Sequence, residues 1–148
     1  MKNIIYKILN EHINNEVISP LNEVEISKFE KSNRIRLPLD YVELLKHFDG
    51  GEILIPGPTI FGIKESPFRK TIREVNSKSN RKNFNVPNDY LIIGNTSYGD
   101  LICISLNDSN EIIQWNHETN EKFCSWENLS EWLYDNLISF EQYREDIK

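Results

Sequence analysis

Cysteine is scarce in these 148 residues: only Cys103 and Cys124 are present, and methionine occurs once. Two cysteines without metal-ligand spacing exclude a disulfide scaffold and a zinc-finger arrangement. Cys103 lies in an apolar, strand-like run and Cys124 is placed near the start of a late helix, so both are expected to be reduced thiols. Long hydrophobic runs are missing too. None is long enough to cross a bilayer, and residues 1–10 carry a charged side chain every few positions, so a soluble, cytoplasmic protein is expected. The six glycines and six prolines are scattered and never gather into a linker, and residues 1–148 are therefore read as one domain. There is no phosphate loop, dinucleotide fingerprint or serine elbow. His12, His47 and His117 form no constellation with either cysteine, so neither catalytic residues nor a metal or cofactor is expected.

What is present is an uneven charge. The formal net charge is −6, but residues 64–82 hold seven basic side chains against two acidic ones, a local +5. From Glu118 to the end, eight acidic side chains face three basic ones, a local −5. An overall acidic chain disfavours nucleic-acid binding, because phosphate neutralisation dominates that affinity. The acidic end suits approach to a basic partner, or simply a solvated helix face.

Periodicity orders the elements. Ile4, Ile5, Ile8, Leu9, His12 and Ile13 mark an amphipathic first helix, and Asn22 with Glu25 forms a capping-box signature ahead of Ile26 and Phe29. Pro38 suits the first turn of a further helix, with Asp40 favoured by the helix dipole and Tyr41, Leu44, Leu45 and Phe48 on one face. Gly50 and Gly51 are expected to cap it, and His47 to meet its last carbonyls. Residues 53–55 and 60–63, split by Pro56-Gly57-Pro58, read as a hairpin-like pair of strands. In the basic segment Ile72 and Val75 predict a short surface helix with its charges in water, followed by a polar loop over 77–85. Residues 91–93, 101–104 and 112–115 and a weaker stretch near Phe123 then predict an antiparallel meander. Ser125 is the expected cap of a closing helix whose apolar stripe runs Trp126, Leu129, Trp132, Leu133 and Leu137, extended by Phe140 and Tyr143. Helices at both ends and strands between them predict an α+β domain, an antiparallel sheet packed against N-terminal and C-terminal helices.

The order of these signals resembles the SUKH superfamily of Smi/Knr-like domains. The resemblance rests on Ile26 and Phe29-Glu30, on Leu37-Pro38 with Asp40-Tyr41, and on Asp49-Gly50-Gly51. It continues through Ile92-Ile93-Gly94, Gly99-Asp100, a strand ending at Trp115 with His117-Glu118 after it, and a helix containing Ser125-Trp126, Leu129 and Trp132-Leu133. It spans about residues 22–138. Pro38, Tyr41, Gly50, Gly51, Gly99, Trp115 and Trp126 are its structural signature. Asn33 stands where such proteins often have a glycine, a turn that asparagine tolerates, and residues 65–88 match no pattern.

The resemblance implies a bacterial immunity protein that neutralises a toxin encoded beside it, a nuclease being one such target. An abundance of Asn, Lys and Ile fits an AT-rich bacterial genome. Partner contacts are expected at turns and strand ends, with Asp49, Glu52, Asp100 and Glu118 as candidates. Asp100 and Glu118 also read as turn formers bonding nearby backbone N–H groups, in preference to an acid/base pair. A cognate protein toxin, no nucleic acid, no membrane and a monomer or weak dimer are the expected associations. The alternatives are a regulatory scaffold module or a small-ligand-binding domain, the latter requiring an apolar pocket with convergent polar groups.

Overall fold

Apolar residues three and four apart place one helix face in the interior, and α1 (Lys2–Glu11) accordingly buries Ile4, Ile5 and Ile8. The computed structural model describes residues 2–11, 20–107 and 109–147, so His12 and Ile13, read as continuing this helix, lie outside the described residues. α2 (Glu23–Asn33) opens with the expected capping box: Asn22 Oδ1 accepts the Glu25 backbone N–H at 2.8 Å, and Glu25 returns the bond at 3.2 Å. Its end differs from expectation. Asn33 stays helical and its amide donates to the Phe29 carbonyl, which shifts the left-handed position to Arg34 at φ 52°.

Pro38 stands immediately before α3 (Leu39–Leu45), as the N-cap rather than inside the first turn. Tyr41, Leu44, Leu45 and Phe48 are buried as the spacing requires. The helix stops at Leu45, however, so the double glycine is not its cap. Both take a positive φ, Gly50 at 85° and Gly51 at 141°, and Gly50 is also demanded by a close approach: a Cβ there would lie 2.6 Å from the Ile60 carbonyl oxygen and 2.9 Å from Arg69 Nε. His47 does not serve the helix end either. It pairs with Glu43 at 3.5 Å and meets the Tyr6 ring edge-on at 5.0 Å.

The strands β1 (Gly51–Glu52), β2 (Thr59–Ile60), β3 (Tyr90–Asn95), β4 (Leu101–Ser105), β5 (Ile112–Asn116) and β6 (Glu121–Trp126) form one sheet in sequential order, each antiparallel to the next. The expected hairpin is present but shorter and earlier, pairing Gly51 with Ile60 and Glu52 with Thr59, because Pro56 and Pro58 donate no ladder hydrogen bond. The register alternates side chains between faces. Ile102, Ile104, Ile112, Gln114, Cys124 and Trp126 share one face, and Cys103, Ile113 and Trp115 the other.

Both faces are covered. α6 (Leu129–Asp146) lies on the first, buries Leu129, Trp132, Leu133 and Leu137, and carries α1 and α3 against it. The second is covered by α4 (Ile72–Val75) and α5 (Lys78–Phe84): Trp115 Nε1 donates to the Phe84 carbonyl at 2.7 Å, and the Asn76 amide bonds both the N–H and the C=O of Ile92. This double cover is why β4 is buried at all five positions and reads as an unbroken apolar run.

Two expectations fail in these layers. The predicted polar loop over 77–85 contains helix α5, capped by Ser77; it buries no residue fully, so no apolar period announces it. At the other end β6 runs through Ser125 and Trp126, so neither belongs to α6, and Cys124 is a strand residue. Asn128 is the cap, accepting the Glu131 N–H at 2.9 Å. Both thiols are free, and burial pushes that of Cys103 up to about 12.

The basic segment is not wholly solvated. Arg69 is buried: its Nε donates to the Asp49 carbonyl at 2.8 Å, its Nη1 to the Lys64 carbonyl, and its Nη2 to Asp49 Oδ2 at 3.1 Å. The Asp49 carboxylate also accepts the N–H groups of Ile63 and Lys64 at 2.7 and 2.9 Å. Complete burial pushes the Asp49 carboxyl above its ordinary range, opposed by those two bonds and by the Arg69 charge. Gly62 leaves room for the pair, since a Cβ there would sit 2.1 Å from the Asp49 carbonyl oxygen. Beside it the Tyr41 hydroxyl donates to the Phe61 carbonyl at 2.6 Å. Breaking a buried pair from one side strands the other charge, so Asp49→Ala is expected to cost about 3–5 kcal/mol in denaturant unfolding. Joint replacement of Asp49 and Arg69 by apolar residues should cost clearly less than the sum of the single changes.

Candidate partner-binding site

A meander that reverses at every strand brings alternate connections to one rim of the sheet. The β1–β2, β3–β4 and β5–β6 connections, residues 53–58, 96–100 and 117–120, share that rim. In the middle turn Thr96 N–H donates to the Asp100 carbonyl at 2.8 Å, and Asp100 N–H to Thr96 Oγ1 at 3.0 Å. Gly99 (φ 100°) completes it; a Cβ there would come within 3.3 Å of the His117 ring.

Asp100 ties this turn to the next. Its Oδ1 lies 2.6 Å from His117 Nδ1 and accepts the His117 backbone N–H at 3.2 Å, while Oδ2 accepts from Gln114 Nε2 at 2.8 Å. The same amide nitrogen donates to the Tyr98 hydroxyl at 2.9 Å. Burial favours the neutral acid here, but the bonds from Gln114, the His117 ring and the His117 N–H together outweigh it and hold the carboxyl below the usual aspartate range. His117 Nε2 faces Glu118 at 3.8 Å. The Cys124 thiol on the neighbouring strand is pushed up by burial and by the Asp135 and Asp100 charges, which leaves it a poor nucleophile.

Between this rim and α6 runs a groove of about 250 Å³, lined by Gly57, Pro58, Tyr98, Gln114, Trp126, Trp132, Asp135, Asn136 and Ser139. It continues past Pro58 and Ser139 into a second hollow of about 200 Å³ beside Leu54, Phe140 and Tyr143. Trp126 Nε1 donates to Asp135 Oδ2 at 3.1 Å across the groove. Tyr98 is 64 % exposed and Tyr143 49 %.

The four candidate carboxylates separate. Asp49 is fully buried at the far end of β1 with Arg69, and Asp100 is buried in its hydrogen-bond network, so neither offers its charge to a partner. Glu52 is half-buried and accepts the Gly57 N–H at 3.2 Å. Glu118 is exposed on the rim. The expectation that Asp100 and Glu118 bond nearby backbone holds for Asp100, whereas the carbonyl of the Asn116 side chain, not Glu118, accepts the turn N–H groups of residues 118 and 119. Gln114, Asp135 and Asn136 were not anticipated. The one available sign was Gln114 itself, a lone amide in an apolar strand. Among the described residues no group of three or more His, Cys, Asp or Glu side chains is placed to hold a metal ion, and no helix is long and apolar enough to cross a membrane.

Geometry defines the class first: an α+β domain with a sequential six-stranded antiparallel sheet, helices on both faces, and a closing helix that borders a groove at the turn-bearing rim. The model of the SMI1 / KNR4 family (SUKH-1) matches residues 20–135, and the chain belongs to that family. Its fold is similar to that of a crystal structure of a protein from Pseudomonas syringae pv. tomato, with a TM-score of 0.68, 16 % identity, and 91 % of this chain and 96 % of that one covered. No curated protein matches the sequence.

Asp100→Asn is expected to lower stability at pH 7 by about 1–3 kcal/mol, since a bonded charge is replaced by an amide that mispairs with Gln114. A carboxyl depressed in the folded state stabilises fully above its unfolded pKa of about 3.9, and that contribution is lost as pH falls through the lower folded value. The gap between wild type and variant should therefore narrow below about pH 4, as read by thermal unfolding across pH.

Proposed function

We propose that the chain is an immunity protein that binds a cognate bacterial toxin stoichiometrically and blocks it, without performing chemistry itself. Family membership supports this reading, since SUKH domains are often toxin-immunity proteins. The observation that carries it is the acidic surface: all eight acidic residues from Glu118 onward are exposed, and Glu118 and Asp135 border the rim and groove. Tyr98 and Glu118 lie on the rim connections, one of them held to the next by Asp100, while Asp135 and the exposed ring of Tyr143 lie on α6. A nuclease toxin carries a basic substrate groove, and an acidic, aromatic surface on a rigid frame complements it. The protein acts in the cytoplasm, as a monomer or weak dimer, without nucleic acid or membrane as partner.

Co-expression with the toxin encoded beside it tests the reading. Growth should be restored and a one-to-one complex should co-elute. Charge reversal at Glu118 and Asp135 should slow association about tenfold or more at low salt, with the difference shrinking as salt rises. A toxin that still kills and never co-elutes would sink the reading.

A further inference from the structure

The groove beside α6 has a chemical bias that specifies what enters it. Gln114 is only 6 % exposed, and its amide orientation is fixed because Nε2 donates to both Asp100 Oδ2 and the Tyr98 hydroxyl. Both donors are spent, and the carbonyl Oε1 is left with a thiol, Cys124 Sγ, at 4.0 Å. A thiol at that distance is a weak partner for a buried acceptor. On the opposite wall Asn136 donates to the Trp132 carbonyl at 2.8 Å, which turns its own oxygen away from that bond. Asp135 receives the Trp126 indole N–H on one oxygen, and among the described residues no basic side chain pairs with it. The Gln114 carbonyl and the Asp135 carboxylate are thus acceptors with capacity to spare, beside the Tyr98 and Ser139 hydroxyls, which can accept as well as donate. Trp126 and Tyr98 add aromatic surface.

A site with one carboxylate free of a basic partner, an under-used amide carbonyl and aromatic rings favours a cationic guest with several donors on its head group. Guanidinium meets that description best: it is planar, carries five N–H donors, stacks on aromatic rings, and forks onto a carboxylate. The volume of about 250 Å³ suits one side chain, below the roughly 300–1,000 Å³ of sites for drug-sized ligands. We propose that this groove receives an arginine side chain of the protein partner, with the guanidinium bonded to Asp135 and to the carbonyl oxygens of Gln114 and Asn136 and laid against Trp126. The proposal rests on the immunity reading for the partner's identity, and it adds the anchor by which that partner is recognised.

The test needs no toxin. The peptide acetyl-Gly-Arg-Gly-amide is titrated into the intact protein, following the Trp126 side-chain N–H resonance, alongside peptides with lysine or citrulline in place of arginine. The arginine peptide should shift that resonance in a saturable manner, with at least tenfold weaker response from citrulline and a weaker response from lysine. Asp135→Asn should abolish the shift while leaving the remaining spectrum folded. Equal responses to arginine and citrulline, equal responses to arginine and lysine, no response, or an unchanged response in D135N would each overturn the proposal. The immunity reading fails separately: arginine bound in the groove without toxin rescue refutes the toxin and keeps the anchor. Rescue by a protein whose groove ignores arginine does the reverse.

Discussion

The buried pair of Asp49 and Arg69 is the constraint around which the rest of the fold is arranged. Asp49 closes the chain leaving α3, and Arg69 closes the long passage from β2 toward the helices of the second face. Their bonds to one another, and to the backbone of residues 49, 63 and 64, fix where β1 begins and where the chain turns away from β2. Such a pair gains little net stability over an apolar replacement, because both ions lose their water. What it gains is position. Gly50 and Gly62 have no side chain because the guanidinium and the neighbouring backbone occupy that space.

Much of the architecture was legible because most of its signals are local. The Asn22 and Glu25 capping box, the buried face from Tyr41 to Phe48 and the strands of the meander announce themselves by residue type at fixed spacing, and all are present. Two of the errors share a cause, which is that long-range contacts reassign residues with strong local signals. Gly50 and Gly51 look like a helix cap but lie beyond the helix end, at positive φ, and Gly50 serves a close backbone approach. Ser125 looks like a cap but continues a strand, and the cap is Asn128. α5 was invisible because a helix lying on a sheet face with no fully buried residue of its own has no apolar stripe to show.

The candidate site was legible only in part, for a related reason. Asp100 and Glu118, expected at turns and strand ends, do share one rim. Burial, however, separates a carboxylate that frames a site from one that faces a partner, and nothing in the identity of Asp49 or Asp100 reveals which it is. The groove itself is made by α6 against the sheet, so Gln114, Trp126 and Asp135 converge only after the fold has formed. The acidic bias after Glu118 is visible in the sequence; that Asp135, on α6, borders a groove is not.

Strand order in the sheet also has a bearing on how quickly the chain reaches this structure. From β3 to β6 each strand pairs with its immediate successor across a short connection, so the loop-closure entropy at each step is small. β2 and β3 are different, since the chain makes an excursion of two helices between them before they meet. The four-stranded part of the meander is thus held by contacts local in sequence, and the hairpin of β1 and β2 joins its edge through a contact distant in sequence. The groove depends on both kinds of pairing, since Gly57 and Pro58 line it from the β1–β2 connection while Gln114 and Trp126 line it from the meander.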